Sequence, residues 1–259
     1  MVSFVHPLTI AILALAFIIS YYNIRRAKIG ALPTLRRKIP AVDAIEQAVG
    51  RATELGRPII FTPGLSSLET IDAPQTLAGL SILSYVSKLA AKTKTPIFVG
   101  VSKATILPLA QEIVKMACLE AGVPEAVETQ HVEYLSDQQF AYAAGYIGIM
   151  AREKAASNIF TGTLWAESLI FAEAGHAAGC FQIGGTAVWT QMAFIVPTCD
   201  FVLLGEELMA AGAILSNDPE QISTIVSHDF LRLIAIALVL IAFALTLLKV
   251  PVLSYINGG

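Results

Sequence analysis

Residues 179–205, GCFQIGGTAVWTQMAFIVPTCDFVLLG, hold one formal charge, Asp200, and the reading of this stretch decides the fold. A membrane helix here would cut the chain in two, whereas a buried strand–helix–strand unit would extend a sheet. Gln182, Thr186, Thr190, Gln191 and Thr198 are too many hydrogen-bonding side chains for lipid. Gly184-Gly185 and Pro197 interrupt the run where a strand, a turn and a helix need punctuation. The stretch therefore reads as buried α/β structure.

The same alternation extends towards the N-terminus. Short β-rich runs fall at 58–62 (PIIFT), 96–101 (PIFVGV), 131–135 (HVEYL), 158–161 (NIFT), 179–183 (GCFQI) and 200–204 (DFVLL). Each precedes a helix-like segment, at 75–92, 104–121, 137–154, 164–176, 186–194 and 206–215. Nearly all-apolar strands alternating with helices predict an α/β fold with a doubly wound, mostly parallel sheet in Rossmann-like layers. Ahead of it, apolar residues at spacings of three and four from Ile45 to Leu55 predict an amphipathic helix. Pro40 suits its first turn and Gly56 its end.

The two ends of the chain have a different composition. Residues 2–22 are apolar and uncharged, and Arg25, Arg26, Lys28, Arg36, Arg37 and Lys38 follow with no acid among them. Charge placed after the apolar core, without a small-residue cleavage site, argues for a transmembrane helix rather than a signal peptide. About 20 residues span roughly 30 Å, a bilayer's hydrocarbon thickness. A second uncharged run, 233–248, predicts another span, with Lys249 snorkelling near Tyr255.

The expected domains are an N-terminal transmembrane helix (1–24), a basic juxtamembrane linker with its amphipathic helix (25–57), a cytoplasmic α/β domain (58–227) and a C-terminal transmembrane helix with a short tail (228–259). Basic residues stay on the cytoplasmic side, which puts both termini outside a plasma membrane. The six basic residues are read as membrane-surface groups facing anionic headgroups. A composition 55 % hydrophobic and 14 % charged, with mean hydropathy +0.67 and a net charge of −3, fits a membrane protein and speaks against nucleic-acid binding. Cys118, Cys180 and Cys199 have no metal-type spacing and read as buried, reduced thiols.

Ligands of parallel sheets sit beyond the strands' carboxyl ends, so the turns there supply the candidate ligand-binding residues. These are Thr62, Gly64, Ser66, Ser136, Asp137, Gln139, Thr161, Thr163, Gly184, Gly185, Thr186 and Glu206. Gly-Gly-Thr at 184–186, read as the opening of a helix, has the ingredients of an anion cradle, with Lys103 as a nearby cation. Ser136-Asp137, Thr163 and Thr186 equally suit ordinary helix caps. Neither G-x-G-x-x-G, G-x-x-x-x-G-K-[ST] nor G-x-S-x-G is present. Glu167, Glu206 and His176 are the candidate acid–base residues. Glu173 and His176 have the Glu-x-x-His spacing of a metal ligand pair, but no second copy completes a site. No cofactor is identified.

The segments 140–150 (FAYAAGYIGIM), 171–178 (FAEAGHAA) and 209–213 (MAAGA) are rich in Ala and Gly. Glycine in a helix costs up to about 1 kcal/mol relative to alanine, so Gly145, Gly148 and Gly175 predict close packing. Part of that packing is expected between subunits of a homo-oligomer.

The strings IRRAK (24–28), RRKIPAVDAI (36–45), VGRATELGRP (49–58), FTPG (61–64), QTLAGL (75–80), LSDQQFAYA (135–143), AESLI (166–170) and LGEEL (204–208) resemble a family of uncharacterised prokaryotic membrane-anchored proteins, a domain of unknown function. The resemblance covers about residues 24–216. It implies the α/β architecture, and it implies no reaction and no catalytic residues. The expected function is therefore a self-associating scaffold or ligand-binding component of a membrane complex, in contact with the lipid bilayer and with partner proteins of that complex. One alternative is a membrane-tethered enzyme or sensor acting on a phosphate-bearing or polar small molecule. The other is a subunit of an oligomeric transporter or channel, which uncharged span centres disfavour.

Overall fold

The structure, a computed structural model, describes residues 7–29 and 38–247. Two compact units divide the described residues, one formed by 7–29 with 218–247 and the other by 38–217.

The larger unit is built on six parallel strands: β1 (Ile59–Gly64), β2 (Ile97–Val101), β3 (Gln130–Tyr134), β4 (Ser157–Thr163), β5 (Phe181–Thr186) and β6 (Phe201–Leu204). Their spatial order is β3-β2-β1-β4-β5-β6, and every neighbouring pair is parallel. This is the doubly wound order, in which the direction of strand addition reverses between β1 and β4. The strands at the centre are buried along their length, which is why they read as continuous apolar runs.

Helices cover both faces. On one side α3 (Ala73–Thr93) packs between α4 (Leu107–Glu120) and α8 (Glu206–Ser216), while α2 (Pro40–Leu55) lies against β4, β5 and β6. On the other side α6 (Glu167–Ala177) packs between α5 (Gln139–Arg152) and α7 (Trp189–Thr198). Alternation along β4 joins the layers. The Ser157 hydroxyl donates to the Ala48 carbonyl of α2 at 2.7 Å, and its neighbour Asn158 accepts from the Tyr146 hydroxyl of α5 at 2.9 Å. Helix α2 begins at Pro40 and ends at Gly56 in a left-handed cap, as its sequence predicts.

A polar lock lies inside the second layer. Asn158 donates to the Gln182 side-chain carbonyl at 3.0 Å, and the Gln182 amide donates to the carbonyls of Ala172 and Thr198. Gly175 leaves the space that these side chains fill, since a Cβ there would run into both.

The stretch 179–205 folds as β5, α7 and β6 within the sheet. One boundary differs from its sequence reading. Strand β5 continues through Gly184 and Gly185 to Thr186, so the Gly-Gly pair is strand rather than turn. A Cβ at Gly184 would come 2.5 Å from Ile195 and 2.9 Å from Cys199, so the glycine admits α7 to the sheet. Close packing also fails at one expected position, because a Cβ at Gly148 would meet nothing within 4 Å.

The smaller unit pairs α1 (Pro7–Lys28) with α9 (Pro219–Leu247). Asn23 donates to Ser227 at 3.0 Å, and Lys28 lies 2.9 Å from Glu220. Among the described residues one helix, not the two expected, is long and apolar enough to cross a membrane: Pro219–Ile241, with mean hydropathy 2.0. Helix α1 is described from Pro7, residues 1–6 lying outside the described residues, and its last turn carries Arg25, Arg26 and Lys28. Arg36, Arg37, Lys249 and Tyr255 lie outside the described residues. Lys38 is exposed, 3.9 Å from Asp43.

Candidate functional site

The reversal of strand order places the ends of β1 and β4 side by side, with the loops after them diverging to opposite faces. The two strand ends are pinched together. Leu65 donates its N–H to the Thr163 carbonyl at 2.9 Å, and the register shifts between Thr62 and Gly64. A Cβ at Gly64 would sit 2.8 Å from the Thr163 backbone, and one at Gly162 would collide with the Pro63 carbonyl. Both glycines have positive φ, 93° and 106°, so other residues are excluded by conformation as well as by space.

Buried polar side chains gather at this edge. Thr62, Thr161, Thr163, Glu167, Ser102 and Thr186 are at most 2 % exposed. Thr62 and Tyr142 form a relay: Tyr142 donates to the Gly100 carbonyl at 2.9 Å, so the 2.5 Å contact between hydroxyls is donated by Thr62, which in turn accepts the Gly64 N–H at 3.0 Å. Burial pushes the Tyr142 phenol well above its ordinary pKa, and the hydrogen bond with Thr62 acts in the opposite direction. The phenol is thus a neutral brace between β1, β2 and α5. The Thr161 hydroxyl donates to the Thr62 carbonyl at 3.4 Å, and Ser102 donates to the Leu65 carbonyl at 3.1 Å. Thr163 differs from these residues, because its hydroxyl is buried without a hydrogen-bond partner.

Glu167 opens α6 and is fully buried. One carboxylate oxygen accepts the Trp165 N–H at 2.6 Å, and the other accepts the Gln139 amide at 2.5 Å. These two hydrogen bonds join α5 to the loop after β4. Gln75 of α3 accepts the Ala187 N–H at 2.8 Å and donates to Asp72 at 3.3 Å, tying α3 to the segment after β5.

The sequence-derived candidates separate accordingly. Thr62, Gly64, Thr161 and Thr163 meet at the strand reversal, and Glu167 and Gln139 meet each other. Ser66 presents its carbonyl to Thr76. The Ser136 hydroxyl accepts the Gln138 N–H, and the Thr186 hydroxyl accepts the Val188 N–H. The residues flanking the starts of α5, α6 and α7 are Gln138, Ala166 and Val188, so the expected caps at Ser136-Asp137, Thr163 and Thr186 occur one to three residues too early. Lys103 lies 3.6 Å from Asp137. Glu206 is half-buried at the start of α8. His176 is exposed in the last turn of α6, about 13 Å along that helix from Glu167. Glu173 is also exposed, and no group of three metal-ligating side chains forms among the described residues.

Sequence reading missed Gln75, an amide in the first turn of an apolar helix, and four large apolar side chains left open to solvent in the segments after strand ends. Ile71 is 95 % exposed and Trp189 is 80 % exposed, while Trp165 and Phe140 are also open to solvent. All four follow strand ends, so their places in the sequence carried the signal.

No curated protein and no solved structure matches the chain. The sequence profile of a family described as a domain of unknown function, DUF6754, matches residues 4–256, nearly the whole length, and the chain belongs to that family.

Proposed function

We propose that this protein is a membrane-tethered binding component whose α/β domain takes a small polar ligand at the reversal between β1 and β4. The observation that carries this reading is the set of buried polar groups at that edge, with the unpartnered Thr163 hydroxyl among them. The charges narrow the ligand. Asp72, Glu167, Glu206 and Glu207 occupy the N-terminal ends of α3, α6 and α8, where a bound phosphate would otherwise be favoured. A neutral or cationic ligand fits these ends better than an anionic one.

Replacing the Thr163 hydroxyl by a methyl costs little when that hydroxyl has no protein partner. Thr163→Val is therefore expected to fold as stably as wild type and to lose the ligand. Wild-type protein as extracted should melt at higher temperature than the same protein washed exhaustively in detergent, and Thr163→Val should show no such difference. Identical melting of the two wild-type preparations contradicts the reading.

The tether is Pro219–Ile241, joined by α1 as a second span, with the α/β domain on the cytoplasmic side. The basic last turn of α1 supports that orientation. A Lys94→Cys variant should react with an impermeant thiol reagent only after cells are permeabilised, and labelling of intact cells overturns the orientation.

A further inference from the structure

Helix α3 carries a groove along its outer face. The groove has a volume of about 720 Å³, within the range of small-molecule sites, and α4 and the end of α8 flank it, with Glu46 of α2 also lining it. One stripe of α3 runs along its floor: Leu77, Ser81, Ser84, Tyr85, Lys88 and Lys92, at helical spacing. Its two ends differ. Helices α3 and α4 both return from the carboxyl end of one parallel strand to the amino end of the next, so they run in the same direction. Near the start of both helices the lining is apolar, with Leu77 and Leu80 on α3 and Leu109 and Ile113 on α4. Near their ends it is charged, with Lys88 and Lys92 on α3 and Glu120 on α4.

The polar groups left free in the groove are donors. The Lys88 ammonium lies 3.1 Å from Glu120, and the Tyr85 phenol donates to Glu46 at 2.9 Å, so both carboxylates are engaged. Lys92, one turn beyond Lys88, is exposed and has no ion pair among the described residues. Ser81 and Ser84 are half-buried, and among the described residues neither hydroxyl bonds to the protein, whereas Ser223 and Ser227 of α9 bond back to their own helix. Two hydroxyls and an ammonium suit a negatively charged group rich in acceptors, and the leucine end suits a hydrocarbon chain.

We propose that this groove binds a single-chain anionic amphiphile, its acyl chain over Leu77, Leu80, Leu109 and Ile113 and its acidic head beside Lys92. The dimensions agree. From Leu77 to Lys92 the floor is roughly 22 Å long, and an acyl chain filling half of a ~30 Å hydrocarbon core reaches about 15 Å, which leaves room for a head at the lysine end. A free fatty acid and a lysophospholipid share this chemistry. An inorganic anion would leave the leucine end uncovered, and a neutral amphiphile would leave the ammonium without a counter-charge. The groove shares no residue with the strand reversal, so it goes beyond the ligand proposed there.

Leu77 and Lys92 are open to solvent, so extraction into a neutral maltoside detergent exchanges the ligand out, and the test adds it back. The melting temperature of the full-length protein is followed as palmitate or palmitoyl lysophosphatidate is titrated in, with inorganic phosphate as the chainless control. The expected result is a saturable rise with at least one of the two amphiphiles and none with phosphate; which amphiphile acts separates the two sources. Lys92→Glu and Leu77→Glu both alter exposed residues at opposite ends of the groove, and melting equal to wild type without ligand shows that each folds. Each should raise the half-saturating concentration by about tenfold, since a favourable contact is replaced by repulsion or by a carboxylate in the chain's path. Lys115→Glu, an exposed α4 lysine outside the groove, should bind as wild type does. No saturable rise with either amphiphile overturns the proposal, as does a rise that Lys92→Glu and Leu77→Glu leave unchanged or that Lys115→Glu weakens equally.

Discussion

At the scale of single residues, the space around each glycine separates packing from solvent exposure. Gly175→Ala drives a methyl group into Gln182 and Asn158, and it should destabilise the protein by about 1–3 kcal/mol. Gly148→Ala fills open space on a helix and should stabilise by about 0.5–1 kcal/mol. Chemical denaturation of the pair checks both signs, and equal effects would contradict the contrast. The sequence presents both as glycines in alanine-rich helices. What distinguishes them is the face each occupies, and for Gly175 that depends on Gln182, contributed by the following strand.

Cys118 and Cys180 are buried as their sequence predicts, whereas Cys199 is only partly buried, packed against the cluster that holds Cys180. Burial pushes Cys180 up to about 11 and Cys199 to about 12, against a weaker downward pull from Arg57 and Arg51 on the first and from a Thr198 hydrogen bond on the second. The folded state therefore holds these protons where the unfolded chain releases them. Their contribution is fully present below about pH 8.5 and is lost as pH rises through 9 towards the folded values. Stability to denaturant should be flat in this respect from pH 7 to 8 and fall by pH 10. The fall should be smaller in a Cys180→Ala, Cys199→Ala variant; an equal fall in both proteins would show that the thiols are not responsible.

At the scale of elements, the α/β alternation is legible because strands buried on both faces must be apolar throughout. PIIFT, PIFVGV and NIFT each fall within a residue or two of a strand. The ends are less legible, for one repeated reason. Thr62-Pro63-Gly64, Thr161-Gly162-Thr163 and Gly184-Gly185-Thr186 look like turns, yet all three triplets finish strands. Small residues serve a tight turn and a close approach of chains equally well. Here β1 meets β4 at Gly64 and Gly162, and α7 meets β5 at Gly184. The site was correspondingly half visible: its threonines could be named, while the Thr62–Tyr142 relay and the Gln75 bridge join residues about 80 and 112 positions apart.

At the scale of the whole molecule, a doubly wound domain and a pair of long helices share one chain, and the family profile runs through both. The apolar composition therefore has separate causes. Some of it belongs to α9, some to strands covered on both faces, and some to the charge-poor outer face of α5, α6 and α7. The central claim is that the strand reversal holds a ligand, and a native mass spectrum of the full-length protein released gently from detergent tests it most directly. The account expects each wild-type subunit to carry one stoichiometric extra mass of a neutral or cationic small molecule, absent from Thr163→Val. A wild-type spectrum at the bare chain mass, or an adduct retained undiminished by Thr163→Val, would contradict it.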